Sequence, residues 1–233
     1  MMKTPTAKTP KPIRKRVLLI EDHPLTREGL ARWINSEPDL EVCGEAGSAP
    51  EAISLVDKLK PDLAITDIAL PAGNGLELIK DLHVRHRDLP VLVLSMHDES
   101  AYAARALRAG ARGYVMKSAG GDGVVNAIRE VLRGHLAFSP ETTMRLLGGF
   151  GKRQSASRRS DLPILTDREF EILQLLGGAR SNGEIAGQLH LSIKTVQTHR
   201  TNLARKLRIT SASALLRFAM QYAQEEVSGH CDS

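Results

Sequence analysis

Between Arg16 and Gly134 the chain repeats one pattern five times: a short apolar run, then a longer amphipathic segment. The runs are RVLLIE, LEVCGEA, DLAITD, PVLVLS and GYVMK, rich in Val, Ile and Leu and bounded by turn residues, as strands are. The segments that follow them, LTREGLARWINSE, PEAISLVDKL, GLELIKDLHVRH, ESAYAARALRAG and GDGVVNAIREVLRG, carry apolar residues at helical spacing. Strands joined through helices must cross over, which makes the sheet parallel and covers both of its faces. The expected fold of residues 16–135 is a doubly wound α/β unit, (βα)5.

In an open sheet of this kind the ligand site lies outside the carboxyl ends of the strands. Those ends carry Glu21 and Asp22 after the first strand, Asp67 after the third, Ser95 after the fourth and Lys117 after the fifth. Each alone would pass for a solvated or turn-forming residue. Together on one edge they make a different chemistry. Carboxylates of this kind suit a small hard cation such as Mg2+, which takes oxygen ligands and phosphate oxygens together. A carboxylate beside it can attack phosphorus and become an acyl phosphate, with Lys117 as a point charge on the phosphate and Ser95 as a hydroxyl donor. His23 and His97 flank the acids, but hard cations prefer oxygen, so both are expected to be loop residues. Trp33 is expected to pack in or beside the core with Leu30 and Ile34. Cys43 lies within a strand and is expected to be a small buried hydrophobe.

Charge divides the chain unevenly. Residues 1–16 hold six basic residues and no acid, and residues 17–135 hold 13 basic against 18 acidic. An acidic body behind basic flanks suggests that one part meets a polyanion. Residues 1–15 have the Pro, Lys and Thr content of a disordered basic tail. In 136–161 a short helix is expected from Ser139, followed by the linker GKRQSASRRSDLP. Residues 162–224 then show only helical patterns, before a tail over 225–233. TDRE at Thr166–Glu169 has capping-box spacing, and Ser192 is placed to cap a later basic helix. A short helix, a tight turn and a longer basic helix make a helix-turn-helix.

Lys194 to Arg208 contain five Lys and Arg residues and no acid. Val196, Leu203 and Leu207 recur at helical spacing and are expected to face inward. Lys194, Gln197, Thr198, Thr201 and Arg205 are left on the other side. Gln197 can pair with adenine and Thr198 or Thr201 can meet a thymine methyl, while Lys194, Arg200, Arg205 and Lys206 suit phosphates. Thr195 is grouped with this DNA-binding set; His199 borders both faces, with packing or a phosphate contact favoured over base readout.

LIEDHPLTREGL, DLAITDIALPAGNGLELI, VLVLSMHDE and GARGYVMKSAGGD, in that order, resemble the motifs of a response-regulator receiver domain. The resemblance implies that Asp67 is the phosphoacceptor and that Glu21, Asp22, Asp67 and the carbonyl of Ala69 hold Mg2+. It makes Ser95 the switch hydroxyl, Tyr114 the aromatic that repositions and Lys117 the phosphate-pairing lysine. Glu21 stands where many receivers have Asp, and Ser118 where many have a proline after a cis bond. LTDREFEILQLL and SNGEIAGQLHLSIKTVQTHRTNLARKL resemble the LuxR-type helix-turn-helix, and the two together are the NarL/FixJ arrangement. That arrangement implies a sensor histidine kinase, DNA and RNA polymerase as partners, and a homodimer on DNA in which Ala212, Leu215, Leu216, Ala219, Met220 and Ala223 give the last helix its apolar face.

A transcriptional regulator, not an enzyme, is therefore expected. A Mg2+-dependent phosphohydrolase of the haloacid-dehalogenase type also uses a strand-end Asp, but wants a second acid two residues on, where this chain has Ala69. A regulator whose receiver ignores phosphate is the other alternative. Cys43 and Cys231 have no metal-ligand or disulfide spacing. The basic start meets only VLLI before Glu21, too short for a signal-peptide core, and no apolar run approaches the roughly 18 residues of a membrane helix. A cytoplasmic location without membrane contact is expected.

Overall fold

The computed structural model describes residues 14–70, 75–151 and 165–228. Five strands, β1 (Lys15–Ile20), β2 (Leu40–Ala46), β3 (Leu63–Thr66), β4 (Val91–Ser95) and β5 (Gly113–Met116), form one sheet in the order β2-β1-β3-β4-β5. Every pairing is parallel. Helices α1 (Pro24–Ser36), α2 (Ala49–Leu59), α3 (Gly75–Arg85), α4 (Glu99–Ala109) and α5 (Gly120–Leu132) alternate with the strands, as the repeating pattern requires.

Successive residues of a strand point to opposite faces, and β1 shows what that does. Val17 and Leu19 pack with Leu30 and Ile34 of α1 and Ile128 of α5. Leu18 and Ile20 pack on the other face with Val56 of α2, Ile79 of α3 and Ala106 of α4. A continuous apolar strand is thus buried on both sides, and its polar ends are forced to the rim.

Trp33 is half in solvent, with 50 % of its surface exposed, rather than in the core. Its ring covers Gly121 at the start of α5, where an added Cβ would come 2.8 Å from the indole. The absence of a side chain at Gly121 is what lets the two helices close there.

After β5, Lys117–Ala119 make a single 3-10 turn, and the Lys117–Ser118 bond is trans, since no cis peptide occurs among the described residues. Helix α6 (Pro140–Gly151) follows, with Ser139 Oγ accepting from Thr142 N at 3.2 Å. The four remaining helices are α7 (Asp167–Gly177), α8 (Asn182–Gln188), α9 (Ile193–Lys206) and α10 (Ala212–Ser228). Phe170, Leu173, Ile185, Val196, Leu203, Leu215 and Ala219 form their core. The expected capping box closes α7: Thr166 accepts from Glu169 N, and the Glu169 carboxylate accepts from Thr166 N. Ser181 and Glu184 form a second box on α8 with the same sequence spacing. The LPAGNG loop and the GKRQSASRRSDLP linker lie largely outside the described residues.

Candidate functional site

The carboxyl edge of the sheet gathers the acids. Backbone pairing continues one residue past each strand: Glu21 N donates to Ala46 O at 2.9 Å, and Asp67 N to Ile20 O at 3.1 Å. Glu21 and Asp67 are held side by side in this way, 1 % and 5 % exposed. The space for Asp67 depends on Gly75, whose amide donates to Ile68 O at 2.8 Å. A Cβ at Gly75 would sit 2.1 Å from the Asp67 carbonyl, so only glycine lets α3 start there without moving the strand end.

Lys117 bridges the two acids, with Nζ 2.5 Å from Glu21 Oε2 and 2.7 Å from Asp67 Oδ2. Burial works against its charge, but Asp67 and Glu21 outweigh that and hold the amine above the ordinary lysine range. The second Asp67 oxygen, Oδ1, accepts from Ala69 N at 3.2 Å. Asp22 lies at the mouth, its side chain 10 % exposed, with the His23 ring 3.0 Å from Oδ1. Ligand atoms of Glu21, Asp22 and His23 all fall within 4.8 Å of one another. Glu21, Asp22 and Asp67 against the single ammonium of Lys117 leave a net negative, largely buried, oxygen-rich cluster. A small divalent cation is what such a cluster fits, because uncompensated buried charge is costly.

Ser95 is fully buried at the end of β4, and its Oγ accepts from His97 N at 3.3 Å. Tyr114 is turned inward at 3 % exposure and donates its hydroxyl to His97 O at 2.9 Å. Burial pushes the Tyr114 phenol far above its ordinary range, so it stays a donor at any working pH. His97 is more than a loop residue: it ties the Ser95 and Tyr114 ends together and stacks on Tyr102 at 5.0 Å.

The second constellation is α9. Ser192 caps it, accepting from Thr195 N at 3.0 Å, and the Ser192 and Thr195 hydroxyls lie 2.8 Å apart. Val196 and Leu203 are buried, while Lys194, Gln197, Thr198, Thr201 and Arg205 are exposed. Thr198 and Thr201 donate their hydroxyls to Lys194 O and Gln197 O one turn back, each at 3.0 Å. The other members of the set are committed to the protein itself. Arg200 bonds to Asn182. Lys206 pairs with Glu169 at 2.6 Å. His199 is half-buried, and burial together with Arg168 holds its imidazole below the ordinary range. No helix among the described residues is long and apolar enough to cross a membrane.

Comparison with known proteins identifies both units of the chain. The family model for the response regulator receiver domain matches residues 17–129, and that for bacterial regulatory proteins of the luxR family matches residues 163–219. The transcriptional regulatory protein DegU of Brevibacillus brevis is 35 % identical over 207 residues, covering 83 % of this chain and 88 % of DegU. The response regulator protein VraR of Staphylococcus aureus is 33 % identical, covering 89 % of this chain and 97 % of VraR. Among solved structures, RcsB from Salmonella enterica serovar Typhimurium, bound to promoter rprA with phosphomimetic BeF3-, superposes with a TM-score of 0.57 at 26 % identity, covering 89 % of this chain and 98 % of RcsB. A two-component response regulator of the LuxR family from Aurantimonas gives a TM-score of 0.55 at 34 % identity, covering 60 % of this chain and 99 % of that one. A receiver with an acidic carboxyl edge, followed by a LuxR-type helix-turn-helix, places this chain in the NarL/FixJ family of two-component response regulators, which are DNA-binding transcriptional regulators and not enzymes.

Proposed function

We propose that Asp67 accepts a phosphoryl group from a cognate sensor histidine kinase, and that the acyl phosphate controls how α9 and its neighbours engage DNA. The observation that carries this is Lys117, whose ammonium joins Asp67 to Glu21 at the bottom of the acidic cluster. An Asp67 oxygen attacks phosphorus, the P–N bond of a phosphohistidine donor breaks, and the imidazole leaves as it gains a proton. Lys117 then pairs with phosphoryl oxygens, and Ser95 turns its hydroxyl toward them. Glu21, Asp22, Asp67 and the carbonyl of Ala69 are the groups to hold Mg2+, which supplies neutralisation of the phosphoryl charge.

On DNA, Gln197, Thr198 and Thr201 face bases, with Lys194 and Arg205 toward phosphates. Leu216 and Met220, 37 % and 39 % exposed on α10, offer an apolar strip for pairing two copies on a two-fold site. The test of the phosphoacceptor is incorporation of label from a small phosphodonor with Mg2+. The wild type takes up phosphate and Asp67→Asn does not; equal labelling of the two removes Asp67 from the role.

A further inference from the structure

The sheet has a second edge, opposite Asp67. At the amino ends of its strands, Asp62 N donates to Arg16 O and Arg112 N to Val91 O, each at 2.8 Å, which brings Lys15, Asp62, Pro90 and Arg112 into one row. Lys15, His83, Arg87 and Arg112 line a cavity there of about 360 Å3. Lys60, Arg85 and Arg87 line the adjoining one, of about 460 Å3.

The acids around this edge are already engaged: Asp62 pairs with Lys15 at 3.0 Å, Asp57 lies 3.3 Å from the His86 ring, and Glu130 pairs with Arg133 at 2.5 Å. Lys60, Arg85, Arg87 and Arg112 are exposed, and their side chains have no ion pair or hydrogen bond among the described residues. Against these four cations the two cavities hold one further acid, Asp88. Helix carboxyl ends favour cations within their last turn, which accounts for Arg85 at the end of α3 but not for Arg112 at the entry to β5. Like charges on one rim repel one another, and an anion relieves that cost.

The chain also enters the sheet at this edge, since β1 begins at Lys15. Residues 1–16 hold six basic residues and no acid. The 13 residues before Arg14 carry Lys3, Lys8 and Lys11, and a segment of that length reaches at most about 45 Å. Residues 17–135 carry 13 basic against 18 acidic residues, so the rim runs against the charge of its own unit.

We propose that the amino edge of the receiver, extended by the basic segment before β1, is a second DNA contact that takes the phosphate backbone of the duplex beside the α9 site. The occupant follows from charge: duplex DNA presents one negative charge per about 1.7 Å of its axis, an array that unpaired cations on one rim match without reading sequence. A duplex held at α9 raises the local concentration of its own flanking phosphates at the rim. The contact supplies affinity and salt dependence, while base preference stays with α9. It rests on DNA binding through α9, but none of its residues belongs to that helix.

The test uses full-length chains and an operator selected from random-sequence DNA, in duplexes of about 20 and about 60 base pairs, with phosphodonor and Mg2+ throughout. One variant carries Lys60→Gln, Arg85→Gln, Arg87→Gln and Arg112→Gln. A second carries Lys3→Gln, Lys8→Gln and Lys11→Gln, outside both folded units, and Lys194→Ala is the control for α9. On the long duplex both variants are expected to bind about tenfold more weakly than the wild type at about 0.1 M salt and to lower the salt slope by about two or more. On the short duplex they bind as the wild type does, whereas Lys194→Ala weakens binding at both lengths. Wild-type values for both variants on the long duplex overturn the proposal, and so do equal losses at the two lengths. A loss confined to the Lys3, Lys8 and Lys11 variant overturns the edge as a contact. Variants that lose retention on an immobilised acidic peptide yet keep long-duplex binding make an acidic protein the occupant and overturn DNA. If Lys194→Ala binds both lengths as the wild type does, the α9 contact fails while the comparison of lengths still decides the edge.

Discussion

Glu171 sits on α7 with 2 % of its surface exposed. Burial pushes its carboxyl up to about 7, against the pull of Arg168, with Asp167 and Glu77 adding to the rise. In the unfolded chain the same group titrates at about 4.3. The folded state therefore binds the extra proton between those values, so this contribution to stability is complete below the unfolded pKa and is lost as pH climbs to about 7. Its size is at most about 4 kcal/mol. Glu171→Gln keeps the acceptor for Arg168 without the buried charge. Thermal melts from pH 5 to 8 are expected to fall for the wild type and stay level for the variant; parallel curves would assign the pH dependence to other groups. The position of Asp67 is legible in the sequence because a strand pattern fixes where its carboxylate must end. Asp167 is not, since its partners Lys80 and Arg105 lie 87 and 62 residues away and are chosen by packing alone.

Helix α9 shows what the element scale adds. Its cap and its buried stripe follow from Ser192, Val196 and Leu203 in sequence, and five of its polar residues are exposed as the spacing requires. Lys206 is different. Its ammonium is 2.6 Å from Glu169, a carboxylate whose burial is offset by Lys206 and Thr166, which hold it below its ordinary range. A basic residue near the end of a basic helix reads as a phosphate contact until a partner on α7 claims it. Lys206→Met is therefore expected to cost about 1–3 kcal/mol of stability by stranding Glu169, which a chemical melt measures. Lys194→Ala is expected to weaken binding to all DNA sequences and to reduce the salt slope by about one. Gln197→Ala is expected to leave that slope and relax base preference instead, as binding to a randomised site shows. Equal losses on every sequence for both would end this division of labour.

For the whole molecule, the order of motifs makes two units legible, because each βα repeat and each capped helix carries its own local pattern. Their contact is not legible, because the meeting of Lys80 and Arg105 with Asp167, and of Phe170 with Tyr102, leaves no periodic trace. The proposed function requires that chemistry at Asp67 change what α9 does. The direct measurement is affinity for an operator selected from random-sequence DNA, with and without a small phosphodonor and Mg2+, for the wild type and Asp67→Asn. Phosphodonor is expected to shift wild-type affinity by about fivefold or more and to leave Asp67→Asn where it was. An equal shift in both proteins, or none in the wild type, would contradict control of DNA binding through Asp67.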